Sequence, residues 1–299
     1  MKITFSKFTV MAIFTLALGL IITSCAGSEA IRSAPSVDAV SGLKNKLTWL
    51  KSNAVSGGSY VLEISSWEDI TNLNPFSISG NGDLSYKDRS NITIILRSTN
   101  FGTGQTIQGG NGTSGSTIFE VGSGVTLILD SNIILKGHSL REDRHFGSLV
   151  RVSSGGTLVM NDGSAITGGH TGNNGGGVYV HDGGTFIMKG GNIYGNISFP
   201  RAVMAPGAQG RPTAVANNTP MYGGGVYVNN KGTFTKTGGT IAGYTGNKET
   251  DNVVINSSGN VVHNSGHAVY AGGKRKETTA GPDVNLHFSN GEFSGGWDE

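Results

Sequence analysis

Residues 175–196 read GGGVYVHDGGTFIMKGGNIYGN, and residues 223–244 return to the same pattern as GGGVYVNNKGTFTKTGGTIAGY. Looser copies begin at Gly147 (GSLVRVSSGGTLVMNDGSAITGG) and at Thr117 (TIFEVGSGVTLILDSNIILKG). A decayed copy starts near His267 (HAVYAGG). Aligning the copies puts Phe119-Glu-Val121, Val150-Arg-Val152, Val178-Tyr-Val180, Val226-Tyr-Val228 and Val269-Tyr-Ala271 in one register. Each triplet alternates apolar, polar or aromatic, apolar, which is the two-residue period of a short strand. A glycine-bearing turn follows, then a second strand at Leu127, Leu158, Phe186 and Phe234. A third strand comes at Ile134, Ile166, Ile193 and Ile241.

Three short strands per repeat cannot bury their own inner faces. Stacking like coils at about 4.8 Å buries a column of Val, Phe, Met and Ile and pairs each backbone group with the coils on either side. Glycine suits the corners because it accepts positive φ and close backbone approach. Register positions 119, 150 and 178 are 31 and 28 residues apart, shorter than the ~40–45 residues of a four-stranded propeller blade. A β-sandwich calls for longer strands with two-sided alternation. The expected fold is all-β: a right-handed single-stranded parallel β-helix over 56–299, with a short N-terminal capping α-helix at 36–55.

Composition agrees with a stacked solenoid. Glycine is 49 of 299 residues, about twice the usual frequency, and charged residues are 14%. The formal charge is +2; removing Lys2 and Lys7 leaves 20 basic and 20 acidic side chains. A near-neutral chain carries no basic stripe for nucleic acid, so none is expected as a partner.

The N-terminus reads as an address. Lys2 and Lys7 precede an apolar run from Phe8 to Ile22, too short for the roughly 20 residues that span a bilayer. The run ends in Ile22-Thr23-Ser24-Cys25, which resembles a bacterial lipobox. That resemblance implies a signal peptide at 1–24 and a lipid-bearing Cys25, the single cysteine of the chain. A small polar tether at 26–35 would follow, with attachment to a membrane through acyl chains. Ala26 after the cysteine is, by analogy with Gram-negative sorting, compatible with the outer membrane. Ser36 then precedes Val37, Val40, Leu43, Leu47 and Leu50, one helical face that would cover the open end of the stack.

The repeat resembles the right-handed parallel β-helix proteins, the broad class that includes pectate-lyase-like folds. The Gly-Gly-Gly-Val-Tyr-Val and Gly-Thr-Phe elements resemble more closely the glycine-rich surface lipoproteins of spirochaetes and some gut bacteria. The likeness covers roughly residues 37 to 299. The class holds lyases, hydrolases and adhesins alike; the anchor, the neutral glycine-rich solenoid and the missing catalytic constellation give the expectation of a surface-exposed lipoprotein that binds or adheres, to host matrix or glycan. The resemblance also leaves open a carbohydrate-active enzyme, a polysaccharide lyase or hydrolase, and a passive coat protein. Lyases of this class use clustered acidic calcium ligands and a basic residue. Here Asp130 and Asp162 sit at unmatched offsets, and the later coils carry Lys189-Gly190 and Thr237-Gly238 instead. No catalytic constellation, metal site or cofactor is therefore expected.

Surplus length falls in one corner, at 137–147, 168–176, 196–224 and 243–266. Five of the seven histidines lie there: His138, His145, His170, His263 and His267. The expected binding residues are Arg141, His145, His170, Arg201 and Arg211 on that corner, with the outward Tyr179 and Tyr227 on the strands. In the last coil Lys274-Arg275-Lys276 replaces the second apolar group, which reads as fraying, and Phe288, Phe293 and Trp297 close that end.

Overall fold

The repeated triplets form strands and pair in the register that the sequence predicts. Val178–Val180 lies parallel between Val150–Val152 and Val226–Val228, which sets Tyr179 beside Arg151 and Tyr227. Phe186 pairs with Leu158 on one side and Phe234 on the other. The structure, a computed structural model, describes residues 36–70, 82–100, 102–109, 117–137, 147–200, 203–204, 214–215 and 220–298. The expected leader 1–24, Cys25, the tether 26–35 and the expected site residues Arg141, His145, Arg201 and Arg211 lie outside them.

The protein is mostly β, and its strands are mainly parallel. The chain visits three sheets in a fixed cycle. Phe119–Val121 belongs to a seven-stranded sheet, Val125–Leu129 to an eight-stranded one and Ile133–Gly137 to a six-stranded one. The next pass adds Val150–Val152, Thr157–Met160 and Ala165–Thr167 to the same three sheets in the same order. Alternation points the first and third residues of each triplet inward. Inward side chains from all three sheets, among them Val121, Leu127 and Ile133, join one core. Burying each Val, Leu or Phe contributes about 1.5–3 kcal/mol, which outweighs the ~0.5–1 kcal/mol that a strand glycine costs relative to alanine.

One register differs from expectation. Ile166 pairs with Leu135, and Ile134 pairs with Ala165. Ile133 and Leu135 are the inward residues of the third strand, while Ile134 faces out and is half-buried. Three consecutive apolar residues hide the phase of the alternation, and a one-residue slip exchanges the faces.

The N-terminal cover is two elements rather than one helix. Ser36 accepts from the Asp38 N–H and caps a 3-10 turn, Val37–Ala39. The α-helix runs over Leu43–Asn53 after Gly42 at φ 76°. Gly42 interrupts the helical spacing, so Val40 falls off the buried stripe. Leu43, Leu47 and Leu50 are fully or almost fully buried in the same core as Leu62 and Ile64. Arg89 donates to the carbonyls of Lys51 and Ala54 at 2.9 and 2.6 Å, satisfying acceptors that the helix C-terminus leaves open.

The far end turns back on itself. After Val269–Ala271, Gly272 and Gly273 at φ 49° and 96° reverse the chain, and Lys274–Lys276 runs antiparallel to the strand just completed. This replaces the expected frayed coil with a hairpin. Leu286–Ser289 and Glu292–Gly295 extend the eight-stranded sheet, also antiparallel. Phe288 pairs with Phe234 and touches Phe293, whose ring meets Trp297, so these aromatics do cover the end of the core. Lys236 occupies an inward position of the second strand. Its Nζ donates to the carbonyls of Gly281 and Val284 at 2.7 and 2.8 Å, which satisfies the ammonium where the apolar column stops.

Candidate functional site

The middle residue of each triplet faces outward, and stacking the triplets makes these residues a column. Along the seven-stranded sheet the column runs Glu120, Arg151, Tyr179, Tyr227, Tyr270. The rings of Tyr179 and Tyr227 lie 5.1 Å apart, and those of Tyr227 and Tyr270 lie 5.8 Å apart with their planes almost parallel. Tyr222, from the inserted corner, stacks on Tyr270 at 4.2 Å. Parallel in-register pairing forces this, since like residues recur at like positions and neighbouring strands lie about 4.8 Å apart. All four rings are half-buried.

At the lower end of the tyrosines the column meets a cleft of ≈ 310 Å³. Arg151, Tyr179 and His181 form its strand side, Ser148, Asn173 and Asn174 its corner side, and Pro220 and Met221 part of its rim. Arg151 Nη2 donates to His181 Nε2 at 2.8 Å, and its guanidinium lies 5.7 Å from the centre of the Tyr179 ring. His181 lies 4.4 Å from that ring, so Tyr179 is flanked by an imidazole and a cation. The Tyr179 hydroxyl donates to Asn229 Oδ1 at 3.3 Å in the next coil. Asn174 Oδ1 accepts the Tyr222 N–H at 2.8 Å, which fastens the corner of one coil to the corner above.

Burial, then the neighbouring Arg151 charge, push the His181 pKa below its ordinary value. The imidazole therefore stays neutral near pH 7 and accepts the Arg151 hydrogen bond at Nε2. Burial holds Tyr179 and Tyr270 above the ordinary phenol value, and burial together with the adjacent tyrosines pushes Tyr227 up to about 12. The tyrosine column is uncharged at physiological pH.

Among the described residues, the inserted corner contains paired strands. His170–Thr171, Ile197–Ser198 and Val253–Val254 form a parallel sheet of their own. His170 is 9% exposed within it, so its side chain is not offered on an open edge as expected. Asn196 and Asn252 build a buried amide ladder beside that sheet. Asn196 Oδ1 accepts the Gly169 N–H at 2.8 Å, its amide donates to Asn252 Oδ1 at 2.9 Å, and Asn252 donates to the Ile193 and Ala242 carbonyls. His267, also expected on this edge, is buried; its Nδ1 accepts the Val254 N–H at 3.1 Å and its Nε2 faces Glu277 at 3.4 Å.

Of the expected binding residues, Tyr179 and Tyr227 stand together on the outward column, and His170 is buried in the corner sheet. Arg151, His181, Tyr222 and Asn174 were not anticipated. Arg151 had a visible signal, because it occupies the register position of Tyr179 one coil earlier. His181 follows Val180 directly, in the turn that leads to Thr185–Met188, at the other end of the strand from the inserted corner. Among the described residues no three His, Cys, Asp or Glu side chains come close enough to hold a metal ion, and no helix is long and apolar enough to cross a membrane. Comparison of the chain with family models, curated proteins and solved structures finds no match.

Proposed function

We propose that the chain is a surface-exposed bacterial lipoprotein that acts by binding rather than catalysis, adhering to host matrix or glycan. In this reading Cys25 carries the lipid and the outer membrane holds the anchor. The three parallel sheets close as a right-handed, single-stranded β-helix, a rigid spacer that carries its ligand face away from the membrane. Support for the solenoid comes from the fixed cycle of sheets and the parallel register. Support for the anchor comes from Ile22-Thr23-Ser24-Cys25 after a basic and apolar leader.

The observation that carries the binding role is the outward tyrosine column and the cleft beside it. Packing alone does not require an aromatic at this position, since Glu120 and Arg151 occupy it in earlier coils. Half-buried rings offer flat apolar area with little rotamer entropy to lose, a combination common at recognition surfaces. The test has two parts. The mature chain is probed on glycan and matrix-protein arrays, where absence of any binding removes adhesion. In the native cell, wild type should incorporate labelled fatty acid and be removed by external protease; incorporation into Cys25→Ala would refute the anchor.

A further inference from the structure

We infer that the outward face of the eight-stranded sheet docks against the same face of a second copy of this chain, sheet on sheet. This goes beyond the adhesion reading and does not rest on it. Three features carry it.

The first is an apolar face with nothing over it. Strand pairing sets Thr93, Thr126, Thr157, Thr185 and Thr233 in one outward column. Two residues further along the same strands, Ile95, Ile128, Val159 and Ile187 form a second column, which Thr235 continues. None of these four aliphatic side chains belongs to the shared core. Val159 is only 7% exposed, flanked by Ile128 and Ile187 in the strands on either side. Runs such as Leu127-Ile128-Leu129 and Phe186-Ile187-Met188 have the continuous apolar pattern of parallel strands covered on both faces, and the core covers one. For Val125–Leu129, Thr157–Met160, Thr185–Met188 and Thr233–Lys236, every turn into and out of the strand lies within the described residues. The inserted corners fall between the other two sheets.

The second is charge. From Ile92–Ser98 to Thr233–Lys236 neither column carries a charged side chain. Charge is confined to one margin, where Glu63, Arg97, Asp130 and Lys189 include two of each sign. Arg97 Nε lies 3.1 Å from Asp130 Oδ2, and Asn161 donates to Asp130 Oδ1 at 3.2 Å. An uncharged centre with a balanced rim does not repel its own copy.

The third is extent and period. Six parallel strands, Ser59–Ile64 to Thr233–Lys236, make up this part of the sheet. At about 4.8 Å per strand and about 6.7 Å per outward position, three positions wide, they present roughly 600 Å². Two such faces bury about 1,200 Å² in total, the lower bound of specific interfaces. Sheets pack face to face at about 10 Å with their side chains interdigitating, and a surface of this period is matched by one of the same period. Facing threonines can donate to and accept from one another, so a second copy answers the hydroxyls that it buries.

The experiment is sedimentation of the mature chain over a concentration series reaching the submillimolar range, with reductant present so that Cys25 cannot link copies. The expected result is a monomer–dimer equilibrium that reverses on dilution. Each substitution enters a two-fold interface twice, so Ile128→Lys should weaken association about tenfold or more. Ile128→Thr, a side chain this column already carries at Thr235, should weaken it less. Ile134→Lys, at an outward half-buried position of the six-stranded sheet, should leave it unchanged. Thermal melting verifies that each variant is folded; should Ile128→Lys not fold, Ile128→Thr carries the test. A monomer at every concentration overturns the inference, as does a dimer indifferent to both Ile128 substitutions. Association that occurs only with a glycan or matrix ligand present, and that Ile128→Lys abolishes, gives the face to that ligand and overturns the second copy.

Discussion

His267 stands where the two preceding coils carry Gly176 and Gly224. A side chain fits there only because the chain reverses at Gly272–Gly273 and lays no further corner over it. Its Nδ1 accepts the Val254 N–H, so the neutral ring carries its proton on Nε2, towards Glu277. Around it stand Glu277 with Arg275 behind, His263, Asp251 and Tyr244. Burial dominates and lowers its pKa from 6.5, against the opposing pull of Glu277. The folded state therefore binds fewer protons than the unfolded chain just below pH 6.5. Stability is full above that pH and is lost as pH falls towards the lowered folded value. Melting temperature should fall as pH is taken from about 8 to about 5, before the carboxylates titrate near 4. His181 acts in the same direction, so the discriminating measurement is the slope in His267→Gln. A slope identical to wild type would show that His267 contributes nothing to it.

Corners are the elements that the stack constrains most. The glycine three residues before each first-strand valine, at Gly175, Gly223 and Gly266, holds φ 70°, a conformation that L side chains rarely adopt. Gly176, the residue after the first of these, has a different reason to be glycine. A Cβ on Gly176 would lie 2.4 Å from the Gly224 carbonyl oxygen and 2.8 Å from the Ile197 nitrogen. Both atoms belong to backbone held by the coil ladder, so neither gives way cheaply. Gly176→Ala should destabilise by about 1–3 kcal/mol or more. Gly281, with open space around its Cβ and no positive φ, is the control: Gly281→Ala should change stability by less than about 0.5 kcal/mol or improve it slightly. Denaturant unfolding of the two variants checks this, and equal losses would show that corner crowding is not what selects the triplet.

The core that the three sheets share is bounded differently at its first and last strands. The first end is covered by a helix whose C-terminus is fastened by Arg89. The second is covered by antiparallel strands that pair with the last coil and lay Phe288 on Phe234. Ending the chain after Gly281 would remove Leu286–Ser289 and Glu292–Gly295. Phe234 and the edge of Thr233–Lys236 would be uncovered, and Lys236 would lose the Val284 carbonyl. An exposed parallel edge beside apolar surface templates association. The truncated protein should melt at lower temperature and self-associate in light scattering. If it stays monomeric with unchanged melting, the closing role of this segment is wrong.

The strands, their order around the core and most of their register were legible because like residues recur at like positions. Val178 over Val150, Phe186 over Leu158 and Ile193 over Ile166 follow from a two-residue side-chain period and a repeating backbone. Tyr179 and Tyr227 were legible for the same reason. The phase at Ile133-Ile134-Leu135 was not, since a continuous apolar run carries no alternation. Only the tertiary structure decided which polar groups meet. Asn196 and Asn252, whose side chains bond each other, are 56 residues apart. Their approach depends on how far each inserted corner travels before the chain rejoins the ladder, and those corners carry no period to read. The same holds for His170 and His267. Both lie in sequence among loop residues, yet each is buried where strands at the inserted corner pair with one another. The repeat determined where the backbone goes, and the stacking of unequal corners decided which side chains share a site.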